Sequence, residues 1–129
     1  MEVPLRAALI AWLAADATLA ASLNAVTEEA PNRTSLPWLG ISASAATDWS
    51  TKTERGCETR IALELQCRGD QPGAGADLAA AIDRAVRTLP RDQPGFRVIG
   101  TRFLRSRAEQ RGESLRTVLL EYRFRTIET

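Results

Sequence analysis

The chain has 129 residues, of which 44% are apolar and 26% charged, with a formal net charge of +1. This is an ordinary globular composition large enough for one core. It excludes a transmembrane helix, since no run approaches the ~18 consecutive apolar residues that spanning a bilayer takes. The sequence has no histidine, which removes the commonest general base and transition-metal ligand, and its near balance of charge argues against polyanion binding by the chain as a whole.

The N-terminus, with Glu2, Pro4 and Arg6, lacks the pattern of a signal peptide. The expectation is a chain that stays in the cytoplasm of its host until it is assembled or used. Leu5, Leu9, Trp12 and Leu13 recur at i, i+4, i+7 and i+8 among alanines, which predicts an amphipathic helix with Pro4 in its first turn. Asp16 is placed to cap a second short helical stretch through Leu19 and Leu23. Residues 25–36, with Pro31, Asn32 and Arg33, read as a connector holding one short extended piece at Val26–Glu28.

Residues 37–46 alternate with period two. Leu39, Ile41, Ala43 and Ala45 are expected on one face of a strand, and Gly40, Ser42 and Ser44 on the other. The polar loop of residues 47–56 follows, carrying Asp48, Trp49, Lys52, Glu54 and Arg55. A second strand is predicted at 58–67, with Ile61, Leu63, Leu65 and Cys67 inward and Arg60, Glu64 and Gln66 outward. The loop is longer than a tight hairpin needs. It reads either as a binding element, with Asp48, Trp49, Lys52 and Arg55 as its contact residues, or as a solvated hairpin whose Trp49 folds back on the sheet.

Cys57 and Cys67 lie on one strand, ~30 Å apart at the usual rise per residue, too far for a disulfide. Cys67 alternates with core residues, and Cys57 has no histidine to activate it. Glu54 and Glu58 fall ~13 Å apart on an extended chain, beyond the spacing of a glycosidase carboxylate pair. No catalytic site, cofactor or metal ligand set is therefore expected.

Residues 68–75 form a turn cluster that includes Pro72 and an Arg-Gly-Asp triplet, and it lacks the ending of a phosphate loop. A helix is predicted over 74–89, with Leu78, Ile82, Val86 and Leu89 as its apolar stripe and Pro90 and Pro94 behind it. Strands follow at 96–106, with Phe96, Val98, Ile99 and Phe103, and at 115–127, where Val118, Leu120, Tyr122 and Phe124 alternate with Glu121, Arg123 and Arg125. The buried set is expected to be Leu9, Trp12, Leu13, Leu63, Ile82, Val86, Leu120 and Phe124. Residues 96–129 hold eight Arg against four Glu. That asymmetry fits either a polar assembly contact or a solvated hairpin, and it marks Arg105, Arg107, Arg111, Arg116, Arg123 and Arg125 as candidates for subunit or DNA contact. The strands lack the exposed aromatic pairs of a base-stacking sheet.

The expected architecture is α+β, residues 1–129 forming a single domain in the order α-β-β-α-β-β. It has a four-stranded, mainly antiparallel sheet with two helices packed on one face.

An Ala/Leu-rich first helix ending at residues 15–23, the run Leu36-Pro37-Trp38-Leu39-Gly40-Ile41, the Asp48-Trp49-Ser50-Thr51-Lys52 loop, a Gly/Ala-rich helix and a late hairpin occur here in one order. In these the chain resembles the tail-completion or tail-terminator proteins of long-tailed bacteriophages, prophages and gene transfer agents. The resemblance implies a structural virion protein without enzymatic activity, cofactor or membrane contact. It further implies a ring of six copies that caps the tail tube and joins it to the head-side connector or stopper protein, with DNA passing through and touched at most non-specifically. The 47–56 loop is then a ring-building or tube-docking element. The alternatives are a head-side stopper, another neck or minor tail component, or a small α+β ligand-binding domain.

Overall fold

A computed structural model describes residues 1–31, 34–71 and 73–129. Asn32, Arg33 and Pro72, read above as connector and turn residues, lie outside the described residues. The elements in order are α1 (Glu2–Ala15), α2 (Ala17–Ser22), β1 (Ala25–Thr27), β2 (Trp38–Asp48), β3 (Gly56–Arg68), α3 (Ala76–Arg87), β4 (Asp92–Gln93), β5 (Phe96–Gln110) and β6 (Leu115–Glu128). The strands form one sheet in the order β1-β2-β3-β6-β5-β4. All its pairs are antiparallel except β1 with β2.

The expected four strands and two helices are thus corrected to a six-stranded mixed sheet and three helices among the described residues. The differences lie in three short elements: a three-residue strand at one edge, a two-residue strand at the other, and a six-residue helix. The helix and β1 fall on the stretch after Asp16 and the extended piece at Val26–Glu28 that the sequence suggested but the count of four strands and two helices left out. β4 is too short to register as a period. The short helix is fixed by its cap, the Asp16 carboxylate accepting from the Leu19 N–H at 3.0 Å, a contact worth ~1 kcal/mol.

All three helices contribute to one core against one sheet face. Leu5, Leu9 and Leu13 of α1, Leu19 of α2, and Ile82 and Val86 of α3 pack with Ile61, Leu63, Leu65, Leu120, Tyr122 and Phe124. Trp12 corrects the expected core set. It is 36% exposed, and its indole Nε1 donates to the Ala85 carbonyl at 2.8 Å, so it bridges α1 to α3 at the rim. Gly75 precedes α3 at φ 86°, and a Cβ there would meet the Cys67 sulfur at 2.7 Å. Close approach and a left-handed backbone both require glycine at that position.

Bulges overturn part of the expected facing. An irregularity between Ile41 and Ala43 shifts the β2 register, so Ala43 and Ala45 pair with Ala62 and Arg60 on the helix-free face. Ser44 turns instead toward α1, accepting from Arg6 at 2.9 Å and donating to Glu2 at 2.5 Å. Two further shifts in β5, between Val98 and Gly100 and between Phe103 and Arg105, put Ile99 on the surface and Phe103 edge-on to Tyr122 at 5.6 Å. A bulge inserts one residue and thereby inverts the alternation beyond it.

Candidate functional site

The face of the sheet opposite the helices is the candidate site. It is built from the outward residues of β2, β3, β6 and β5, and seven arginines (Arg60, Arg97, Arg102, Arg105, Arg107, Arg123 and Arg125) stand on it against four glutamates (Glu58, Glu64, Glu109 and Glu121). Most of these charges are already matched. Arg105 pairs with Glu121, its cross-strand neighbour. Glu109 is held by Arg107 at 2.7 Å and Arg111 at 3.0 Å, and the Arg111 hydrogen bond is the main cause that keeps its carboxyl below the usual range. Glu58 receives Arg125 at 3.0 Å and Arg123 at 3.8 Å. Arg60 and Arg102 have no carboxylate within ion-pair distance among the described residues.

The loop between β2 and β3 is shorter than its sequence suggests, because both strands run on into it. The connection is Trp49–Arg55, and it is bonded to itself. The Trp49 N–H donates to the Gly56 carbonyl at 3.0 Å and the Thr51 N–H to the Glu54 carbonyl at 2.9 Å. Ser50 Oγ accepts from the Gly56 N–H at 2.9 Å and donates to Asp48 at 2.6 Å. Trp49 lies half-buried on the sheet with the Arg125 guanidinium 5.2 Å above its ring, in a shallow groove also lined by Ile99, Gly100, Thr101, Arg102 and Arg123. Asp48, Lys52 and Arg55 line a separate open concavity of about 720 Å³ at the loop tip, with Met1 and Glu128.

The predicted residues therefore fall into three places. Arg105, Arg107, Arg123 and Arg125 share the open face, with Trp49 joining them through Arg125 and Arg111 through Glu109. Asp48, Lys52 and Arg55 sit together at the loop tip. Arg116 belongs to neither: its guanidinium donates to the Gly69 carbonyl at 3.2 Å and to that of Asp70 at 3.4 Å, tethering the turn before α3. Sequence reasoning missed Arg60 and Arg102, whose freedom appears only once their neighbours are seen to be paired. It also missed the network behind the core face. There the Tyr122 hydroxyl donates to Asp83 at 2.6 Å, and Arg87 donates to the same carboxylate at 2.9 Å. Burial pulls the Asp83 carboxyl upward, but the Tyr122 and Arg87 hydrogen bonds and the Arg87 charge together outweigh it and hold it below the usual range. Burial, then the Asp83 hydrogen bond and charge, raises the Tyr122 phenol far above its ordinary value.

Cys57 and Cys67 are both free thiols, and burial raises that of Cys67. Among the described residues no group of three or more His, Cys, Asp or Glu is placed to hold a metal ion. No helix among them is long and apolar enough to cross a membrane.

Residues 7–127 match the family model of tail completion protein gp17. The chain belongs to that family. It is a structural protein of the tail of a phage or phage-like particle. Its fold is similar to that of a chain in a solved structure described as the virion of a native gene transfer agent particle. The TM-score is 0.82 and the identity 24%, over 99% of this chain and 97% of that one. No curated protein matches the tail completion chain in sequence.

Proposed function

We propose that this tail completion protein is the tail terminator: six copies form a ring that caps the head-proximal end of the tail tube and joins it to the head-side connector, with DNA passing through the hole. The observation that carries the reading is the membership of nearly the whole chain in the tail completion family. The geometry adds a helix-free sheet face whose charges are largely neutralised in place and a self-bonded loop that presents Asp48, Lys52 and Arg55 at one tip. A charged face that is already paired is suited to a wet, close-fitting partner, since bringing up another protein leaves few charges unmatched.

In this reading Asp48, Lys52 and Arg55 contact the neighbouring subunit or the tube, and Trp49 supports the loop from behind. DNA contact falls to Arg60 and Arg102, because Arg105, Arg107, Arg123 and Arg125 are engaged by glutamates. Such contact goes through phosphates and weakens steeply as salt rises. The test is reconstruction of assembled particles with the chain located by its fold. Six copies in a ring between tube and connector are expected. A single copy, or placement away from the head-proximal end, overturns the assignment.

A further inference from the structure

Each edge of the sheet is covered over only part of its length. β1 pairs with β2 at Trp38–Gly40 alone, and β4 pairs with β5 at Phe96 and Arg97 alone. The outward backbone of β2 from Ile41 to Asp48 and of β5 from Thr101 to Gln110 has no strand partner among the described residues. Each stretch is ~23 Å long or more. Open edges of that length are templates for another strand.

Three features select the partner. The first is direction. The successive antiparallel pairs β2–β3, β3–β6 and β6–β5 leave β2 and β5 running oppositely at the two sides of the sheet. A second copy set edge to edge by rotation about a ring axis therefore brings its β2 antiparallel to β5. The second is charge. β5 carries Arg97, Arg102, Arg105 and Arg107 against Glu109, whereas β2 has no cation and one anion, Asp48. Pairing β5 with another β5 sets arginines opposite arginines, which destabilises a ladder. Pairing it with β2 sets them against small uncharged residues such as Ala43 and Ala45, which bring no like charge to the ladder.

The third feature is the position of the covered ends. The Trp38 end of β2 lies level with Glu109 of β5, through Gln66 and Thr117, while β4 covers the opposite end of β5 at Phe96. Two copies consequently meet with a step between them. A stagger of that kind is what closing a sheet on itself requires.

We propose that neighbouring copies join by adding the open edge of β5 in one copy antiparallel to the open edge of β2 in the next, so that one sheet continues around the ring. This rests on the ring reading above and names its interface.

The test uses cysteine pairs in full-length Cys57→Ser protein. Ala46 of β2, and Ser106 and Ala108 of β5, are exposed and share the face of Thr59, Leu120 and Val118 respectively. Ala46→Cys is combined with Ser106→Cys or with Ala108→Cys, and a short bismaleimide is applied to assembled particles. Native mass spectrometry of the same preparations reports whether a ring is present, and circular dichroism confirms folding. The expected result is a cross-linked ladder extending beyond dimer in a double variant, with monomer only in every single variant. Dimer from Ser106→Cys or Ala108→Cys alone, or from Ala46→Cys alone, means two-fold pairing of like edges and overturns the proposal. An intact ring with no cross-link in either double variant overturns the edge pairing and leaves the ring standing. Absence of both ring and cross-link overturns both.

Discussion

Replacing Tyr122 with phenylalanine removes one hydroxyl from the centre of the molecule and nothing else. The ring is fully buried. Its contacts with Phe103 at 5.6 Å and Phe124 at 6.3 Å survive the change. What is lost is the 2.6 Å hydrogen bond to the Asp83 carboxylate, and bonds to charged groups contribute ~1.5–3 kcal/mol. Asp83 keeps Arg87 and remains partly open to water, which favours the lower half of that range. With an unfolding entropy of ~2.1 cal/mol/K per residue, a loss of ~1.5–2 kcal/mol lowers the Tm of a chain this size by ~6–7 °C. The pH dependence gives a second readout. The folded-state phenol pKa is raised above the unfolded value of ~10, so its contribution is fully present below pH ~10 and is lost as pH rises further, where only the unfolded chain ionises. Cys67 shifts in the same direction but is present in both proteins, so it cancels in their difference. The assay is urea unfolding followed by tryptophan fluorescence at neutral and alkaline pH, with phenolate absorbance recorded in parallel. Tyr122 is the only tyrosine, which makes the absorbance unambiguous. The stability gap between the two proteins should narrow above pH ~10, and phenolate should appear only with unfolding. Titration near pH 10 in the folded protein, or equal midpoints for the two proteins, refutes the reasoning.

Truncating Leu63 or Phe124, both fully buried, to alanine should cost ~2–5 kcal/mol, and near-neutral unfolding of both would show that the core is elsewhere. Gly56→Ala places a Cβ 2.4 Å from the Trp49 carbonyl oxygen. A backbone oxygen cannot swing aside as a side chain does, so the loop must shift at a cost of ~1–3 kcal/mol, visible as a lower Tm and altered Trp49 fluorescence. Trp49→Ala loses the Arg125 contact, worth ~0.5–1 kcal/mol at an exposed site. The monomer should stay folded while particle assembly drops; normal assembly would show Trp49 to be idle, and an unfolded monomer would show it to be core. Asp83→Asn should flatten the stability profile on the acid side: the depressed Asp83 pKa contributes stability above ~3.9 that is lost as pH falls through the folded value. An unchanged acid midpoint would contradict this.

The long elements were legible because their own residues decide them. Ile61, Leu63 and Leu65 alternate without interruption, as do Val118, Leu120, Tyr122 and Phe124, and one buried face is enough to hold each strand in register. Leu5, Leu9 and Leu13 define a helix face by spacing alone, and Asp16 caps the next helix through a bond three residues away. The loop residues Asp48, Lys52 and Arg55 were also brought together, as neighbours in sequence must be. Tertiary structure decided what depends on distant partners. The bulges in β2 and β5 arise from matching those strands to β3 and β6, and they moved Ala43, Ala45 and Ser44 to faces that a strict period of two could not give. β4 exists only because a long strand lies beside it, and the extended piece read at Val26–Glu28 becomes a strand, β1, only by pairing with β2. The state of the arginines was the least readable of all. Arg125 and Glu58 are 67 residues apart yet 3.0 Å from each other, so whether a cation is free for a partner depends on a sheet order the local pattern does not encode.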